Sequence, residues 1–566
     1  VTPEDDKLLE GALAWFAGAE SEHKQFEDSW DHQDGLYFGH KRFRESYLSA
    51  SPRDKDGVLH DGRKEFGAEL HIPYTFSTIE TIMPRTISNR PRMLWLPRDE
   101  KAEANAENVR LIGDAQQQRA DYELKLQTTC RSGLKHGLGV QKVYWRREEA
   151  QSFEMKQAAT GEWVRAPTSR VLWDDPDVED VDIRDFYWDP YGDSMRTVRK
   201  VMHRSWRDTA YVLERVESGE WDRCPLTAED LRGAGGKQKY QDAWRGRRAA
   251  QGLTGDGDRR EDIHEVWELH DGRTVVTIVD RRWVVRVIEN PFWNWRLPFH
   301  IYRPIEVEHR FVGVGVIDPI EDLQRELNWL RTDRRWNAML KLHATYAYND
   351  GVVDPALLKV GPGNLIPVNG DPRGLIEELA VGDIPNSGYQ EESNLQRDIE
   401  RTTGVDDTVA GSEGGGGASA TATGVQLVQA AAGLRIQAYT RRLELELCKP
   451  ESQHWLALNQ QMWRERKIRV PAEPTVMDPD RRWTWRTVDP SGVAGEFDVI
   501  PDGGATQPDN IPQQRQDALQ AMQLFGQLPD VDRRKLAAWA MEKFGITSPE
   551  EMPTAPMQVP PAALDL

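Results

Sequence analysis

Four features of this chain invite a chemical reading, and each fails on spacing. Gly233-Ala-Gly-Gly-Lys-Gln238 holds a Gly-Lys pair, but position 231 is not glycine and neither Ser nor Thr follows Lys237. A phosphate loop of the Walker type needs both, the glycines to let backbone N–H groups approach the phosphates and the hydroxyl to reach the metal. In Ile263-His-Glu-Val-Trp-Glu-Leu-His270 the second histidine stands two places too far along for a zinc-binding HExxH helix. His264, Glu265 and His270 therefore read as surface residues of a strand. Asp174, Asp175, Asp177, Glu179, Asp180 and Asp182 form an acidic run without the spacing or the glycine of a calcium loop, and it reads as a solvated loop. Cys130, Cys224 and Cys448 lie far apart with no CxxC pair, which argues against disulfide scaffolding and thiolate zinc sites. No Gly-x-Ser-x-Gly elbow occurs. The sequence thus nominates no catalytic residue, no metal site and no cofactor.

What remains is the chemistry of contact. Arg331, Arg334, Arg335 and Lys341 fall on neighbouring positions of one side of a long helical stretch, and Arg397 and Arg401 lie on a second one. They are candidates for facing a polyanion, or else they pair with acids such as Glu321, Asp322, Glu326 or Asp333. Between Asp406 and Gly424 runs a Gly-, Ser- and Thr-rich segment containing Ser412, Glu413, Gly414, Gly415, Gly416 and Gly417. Four successive glycines do not hold a fixed backbone cheaply, so the segment reads as a mobile loop, either a passive linker or a weak, slippery contact. The chain of 566 residues has 73 basic and 93 acidic residues and a formal net charge of −20, unlike a protein that coats nucleic acid. It is too long for one core, so several subdomains are expected. No apolar run approaches the roughly 20 residues that span a bilayer, and the polar start Val1-Thr-Pro-Glu-Asp-Asp has no signal-peptide pattern. The expectation is a soluble protein of a reducing compartment, without a membrane partner.

The elements that would position these residues follow from periodicity. A helix is expected over residues 1–50 and a short one near Tyr74–Ile82; a polar helix over 100–132 should stop at Gly133. Strands are expected over Gln141–Trp145, Trp163–Trp173, Asp185–Asp189, Ile263–Leu269, Thr274–Asp280 and Trp283–Ile288, with Ser205–Val216 helical and 233–258 a loop. After Gly313-Val-Gly315, Asp318-Pro319 opens a helix to Leu342 with Ile320, Leu323, Leu327 and Leu330 as one stripe. Such a helix is roughly 37 Å long at 1.5 Å per residue. A turn-rich insert, 343–385, separates it from a return helix near 387–403. Val425, Val428, Ala432, Ile436, Tyr439, Leu443 and Leu447 stripe another long helix, running brokenly past Pro450 to Trp463. A strand pair, Lys467–Val470 and Arg482–Val488, and a strand within 495–504 precede a helical region at 512–545 and a proline-rich tail.

The glycine-rich lead-in followed by Asp318, Asp322, Gln324, Arg325 and Asn328 inside a long helix resembles the portal proteins of tailed bacteriophages. Thr402-Thr403-Gly404 ahead of the glycine loop looks like members from short-tailed phages. The order of segments over most of 70–545 is similar as well. The resemblance implies an α+β, multi-subdomain portal fold: a wing at 1–315, a stem helix at 316–342, a clip at 343–385 and a return stem helix at 386–405. It continues with a tunnel loop at 406–424, a long helix with wing strands at 425–505, a crown at 506–548 and a disordered tail at 549–566. The function implied is a ring of twelve copies forming a DNA channel at one vertex of the capsid, in the virion. Its implied partners are double-stranded DNA held without sequence readout, the terminase large subunit, major capsid and scaffolding proteins, and head–tail adaptor or tail proteins. ATP hydrolysis would belong to the motor partner, and the chain itself is expected not to be an enzyme. Two other readings stand beside it, a metal-dependent phage nuclease or polymerase-like enzyme using the Asp174–Asp189 carboxylates, and a capsid or tail scaffold without a channel.

Overall fold

The computed structural model describes residues 3–39, 70–87, 93–157, 163–232, 263–292, 296–342, 346–348, 376–378, 386–405, 434–471 and 483–501, with Leu519 and Gln523. In chain order the elements begin with α1 (Pro3–Phe38), α2 (Tyr74–Thr86), β1 (Met93–Pro97), α3 (Glu100–Arg119), α4 (Tyr122–His136), β2 (Gly139–Gln157), β3 (Trp163–Val181) and β4 (Phe186–Trp188). They continue with β5 (Lys200–Asp208), α5 (Thr209–Glu217), α6 (Ala228–Leu231), β6 (Ile263–Asp271), β7 (Thr274–Val279), β8 (Trp283–Glu289), β9 (Phe299–Tyr302), α7 (Glu321–Leu342), β10 (Tyr346–Tyr348), β11 (Ile376–Glu378) and α8 (Asn386–Thr403). A helix over 434–442 passes through a π-turn, Leu443–Cys448, into Lys449–Met462; the three together are α9. Last come β12 (Arg466–Pro471), β13 (Trp483–Val488) and β14 (Phe497–Pro501). The architecture is mixed helix and strand, as the fold class requires. The glycine-rich loop 406–424, the insertion 233–258, the crown 506–548 apart from Leu519 and Gln523, the tail 549–566, and the clip apart from 346–348 and 376–378 lie outside the described residues.

β4 to β8 form one antiparallel meander in sequence order. α1 covers one face: Ala12, Phe16 and Ala19, spaced 4 and 3, pack on Tyr187, Met202, Trp267 and Ile278. On the other, Val212 of α5, Trp221 and Leu231 of α6 pack on Val266, Val279 and Val285. A sheet covered on both faces has no wet side, and this corrects the surface reading of His264, Glu265 and His270, all three of which are buried. His264 sits between Thr209 Oγ1 at 3.0 Å and Asp280 Oδ2 at 2.6 Å, and Glu265 takes the Arg281 guanidinium at 2.9 and 3.0 Å. The strand signal also wins over the helix at Ser205–Asp208, where β5 pairs with β6 before α5 begins.

β3, β2 and β9 make a second, antiparallel sheet under α4. The acidic run lies in β3 from Asp174 to Asp180, with Asp182 just beyond its end, and not in a solvated loop. Asp175 is buried against Arg119 (2.8 Å), Arg466 (2.6 Å) and Gln116 (2.9 Å), and Asp177 against Lys125 (2.5 Å) and Arg146 (3.1 Å). Cations from α3, α4, β2 and β12 are what allow carboxylates inside, since a buried charge needs a partner. Burial pushes the Asp180 carboxyl up to about 6, against the hydroxyl of Thr129.

The polar helix expected over 100–132 is two helices, broken at Asp121, whose φ of 50° is left-handed. It does not stop at Gly133: a side chain there would overlap the ring of Tyr302, so that glycine is a packing residue, and α4 ends at Gly137 with φ 74°. The largest core joins Ile79 and Ile82 of α2, Leu126 and Leu134 of α4, Val143, Val178, Tyr302, Val499 and the stripe Tyr439, Leu443, Leu447 of α9. The helix does not break at Pro450: a π-turn carries it through, with the proline in the first turn of the segment that follows.

Candidate functional site: the α7–α8 helix pair

The glycine-rich lead-in to α7 is fixed by close backbone approach. Any side chain at Gly313 or Gly315 would run into the carbonyls of Ile305 or Lys135. Gly313 N–H donates to Gly137 O (3.2 Å) and Val316 N–H to Leu134 O (2.7 Å), so the strand before α7 is laid on the end of α4. Asp318 then accepts from Gly315 N–H (2.6 Å) and from Gln33 Nε2 at the end of α1 (2.5 Å). Lys135 and Arg184 converge on buried Asp34 beside it. Burial alone would raise that carboxyl, but His136, Lys135 and Arg184 outweigh it and hold it well below the usual range. The end of α1, the end of α4 and the start of α7 are thereby one ionic joint.

Along α7, Gln324, Asn328 and Thr332, spaced four apart, latch the chain at 70–72. Gln324 Nε2 donates to Ile72 O (2.7 Å), Asn328 Oδ1 accepts from Ile72 N–H (2.9 Å), and Thr332 Oγ1 accepts from Leu70 N–H (3.2 Å). Arg325 pairs with Glu321 and lies 2.7 Å from His32, whose imidazole is pushed down to about 4 by burial and by that guanidinium. The expected stripe is present: Ile320 and Leu327 are fully buried against Leu395 and Ile399 of α8, and Leu323 and Leu330 pack on them. Each fully buried side chain of this size stabilises the pair by roughly 1.5–3 kcal/mol relative to exposure.

The six cations separate into two groups. Arg331 and Arg334 both pair with buried Glu392 across the helix pair, and Arg334 also stacks 4.0 Å over the ring of Tyr389. Arg335, Lys341 and Arg397 are exposed, and Arg401 is 81% exposed and 4.0 Å from Asp398. Reading the sequence missed Glu392 as the partner. Its spacing of 3 and 7 to Leu395 and Ile399 puts it on the apolar stripe of α8, which was the available signal. Arg435 was missed as well. It donates to Thr402 O (2.6 Å) and Arg401 O (3.2 Å), holding the start of α9 against the end of α8, where Gly404 (φ 73°) closes the helix. The ends of segment 406–433 are therefore brought together. Ser412, Glu413 and Gly414–Gly417 belong to that segment and lie outside the described residues. At the far end, β10 and β11 pair antiparallel and open the 343–385 insert as two legs of a hairpin.

None of this joins a nucleophile to a base and an oxyanion site. Among the described residues no group of three His, Cys, Asp or Glu side chains is placed to hold a metal, and no helix is long and apolar enough to cross a membrane. Two long helices packed along an apolar stripe and joined by a shared carboxylate form a scaffold for contact. A family model described as phage SU10 portal protein matches residues 169–564, well over half of the chain. The chain belongs to this family of tailed-phage portal proteins, a structural component of the capsid. No curated protein matches it.

Proposed function

We propose that copies of this chain close into a ring, of twelve by the resemblance, whose channel passes double-stranded DNA at one vertex of the capsid during packaging, retention and ejection. The observation that carries the reading is the α7–α8 pair within the matched family region: one side is closed by an apolar stripe and a shared carboxylate, and the other sides carry exposed Arg335, Lys341, Arg397 and Arg401. Arg331 and Arg334 set the angle of the pair through Glu392. The four exposed cations face the DNA backbone, where charge acts without sequence readout. The segment with Ser412, Glu413 and Gly414–Gly417, held at its base by Arg435, is the loop that touches the duplex weakly and lets it slip. The 343–385 tip docks the terminase large subunit, which supplies ATP hydrolysis, and later the adaptor and tail proteins. The wing faces major capsid and scaffolding proteins, and the ring assembles in the host cytoplasm.

Electron microscopy of the purified chain tests this directly. Class averages should show rotational symmetry about a hole on the order of 20 Å or more, the width of a duplex; filaments or closed discs without a hole would count against it. The purified protein should also show no ATPase or nuclease activity. Turnover abolished by a single carboxylate substitution would restore the enzyme reading. Two of the carboxylates that reading relied on, Asp175 and Asp177, are engaged in ion pairs with four basic side chains.

A further inference from the structure

β9 pairs with β2 only over Gly139–Lys142. Beyond it β2 and β3 run on as a two-stranded ribbon, with a bulge between Glu148 and Glu149 and then a regular ladder from Glu149↔Val171 to Gln157↔Trp163. Nine such pairs extend roughly 30 Å at 3.4 Å per residue. A ribbon of two strands is marginal in water on its own. This one carries its large exposed apolar side chains, Phe153, Met155 and Trp163, on one face. Phe153 and Met155 alternate along β2, while Arg165 stands opposite Met155 and Trp163 opposite Gln157. The Arg165 guanidinium lies 5.2 Å from the Phe153 ring, which places the two together on that face. Phe153, Met155 and Trp163 are each more than half exposed.

A second ribbon has the same character. β1 and β14 pair from Met93↔Pro501 to Pro97↔Phe497. Met93 and Val499 point into the core, which leaves Leu94, Leu96, Asp498 and Ile500 on the outside, with Leu94 opposite Ile500 and Leu96 opposite Asp498. The three apolar ones are each about two-fifths exposed. These two exposed apolar faces, one holding Arg165 and the other Asp498, do not cover each other within the subunit.

We propose that they cover each other between subunits: the outer β2–β3 ribbon of one copy lies on the β1–β14 ribbon of the next, with Phe153, Met155 and Trp163 on Leu94, Leu96 and Ile500, and Arg165 beside Asp498. Two different surfaces of one chain meeting in this way make a head-to-tail contact, the kind that closes a ring at a fixed rotation. Each union removes two apolar faces from water and brings Arg165 to a carboxylate that Arg98 already holds at 3.6 Å. The inference rests on the ring reading above and assigns it a contact surface.

Cysteines introduced in the full chain at Met155→Cys and Leu96→Cys test the contact. Cys130 and Cys448 are buried and Cys224 is half-buried, so the unsubstituted chain serves as the oxidation control. Under mild oxidation the double variant should give a covalent ladder of multimers. An equimolar mixture of the two single variants should stop at dimers. Rings seen by microscopy without a 96–155 link overturn the contact and leave the ring reading intact, whereas no assembly of the unsubstituted chain at any concentration sinks both. A second measurement does not depend on cysteine placement. Arg165→Glu and Asp498→Arg should each raise the concentration for half-assembly about tenfold, and the double reversal should restore it. If single reversals leave assembly unchanged, as they would were residues 502–566 or a capsid protein the occupant, the proposal fails.

Discussion

The β-rich part of the molecule and the α7–α8 pair both bury carboxylates, but they settle them differently. Around β3, each buried acid collects partners from several elements: Asp175 from α3 and β12, Asp177 from α4 and β2. In the helix pair one acid, Glu392, serves two arginines of a single helix. The first arrangement ties many segments into one body, with helices on both faces of the meander. The second joins two helices over one small apolar cluster on which Ile72 and Tyr74 also pack, while Trp329 and Tyr389 are more than half exposed. The β-rich body closes its main cores within its own chain and leaves apolar surface on the outer β2–β3 and β1–β14 ribbons. The α7–α8 pair is held by fewer elements, residues 70–72 and the end of α1 besides the two helices, and it leaves those two rings toward solvent.

Breaking each region should therefore read out differently. The largest effect belongs to the β-rich body. Gly133→Val forces a branched side chain into the Tyr302 ring at the centre of the main core, and should cost about 3 kcal/mol, the upper end of overpacking penalties. The check is a fall in the midpoint of global unfolding; an unchanged midpoint would mean α4 can slide off Tyr302 freely. In the helix pair, Glu392→Ala leaves Arg331 and Arg334 facing each other. Because Arg331 reaches solvent, the cost should be about 2 kcal/mol, less than the 3–5 kcal/mol of a fully buried pair. Hydrogen exchange should quicken along α7 and α8 and stay unchanged in β5–β7. Loss of protection throughout would erase the distinction between the two regions.

A third change sharpens the comparison, because it concerns an acid buried without a cation. Glu451 of α9 accepts from the Tyr122 hydroxyl at 2.9 Å, and burial pushes its carboxyl up to about 8 from an ordinary value near 4.5. The unfolded chain releases that proton from about pH 4.5 upward while the folded one keeps it to about 8. The contribution to stability is thus full below pH 4.5 and falls as pH rises between those values. Glu451→Gln, neutral and of the same shape, has no such dependence. Its melting temperature should gain on the parent by a few degrees from pH 5 to pH 8, and a constant gap over that range would show that Glu451 is ionised in the fold.

How much of this was legible beforehand depends on whether the deciding contact was local. The stripe Ile320, Leu323, Leu327 and Leu330 needs only helical spacing, and it packs as expected. The strands 263–289 carry their own β-branched runs and tight turns, and they form with bounds close to those read from the sequence. Where the partner came from far away, local reading failed. Asp174–Asp182 looked solvated because Arg119, Lys125 and Arg466 are distant in sequence. Glu265 looked exposed because α1, more than 200 residues earlier, covers its face of the sheet, and His264 because α5 covers the other. Gly133 looked like a helix stop because the Tyr302 ring that excludes a side chain there is far along the chain. Gln324 and Asn328 were singled out as a family pattern, yet their work here, latching residues 70–72 to α7, follows from no spacing rule.

The smallest expected effect on stability is the most informative about the α7–α8 pair. Arg335, Arg397 and Arg401 are exposed on α7 and α8, and replacing such residues by glutamine usually changes folding free energy by no more than about 0.5 kcal/mol. Arg335→Gln, Arg397→Gln and Arg401→Gln together should therefore melt close to the parent and assemble as it does. If those side chains face a duplex, each lost phosphate contact lowers the salt dependence of DNA association by about one unit of the log–log slope. Measured on assembled protein with duplex DNA between 50 and 200 mM salt, roughly the range over which such contacts are screened, the triple variant should show a slope shallower by at least about three, because every copy in the ring loses three cations. An unchanged slope would turn these cations away from the channel. Arg331→Gln is the internal control, because its pairing with Glu392 places it in the joint between the helices, and its loss should speed exchange in α8 without altering the slope.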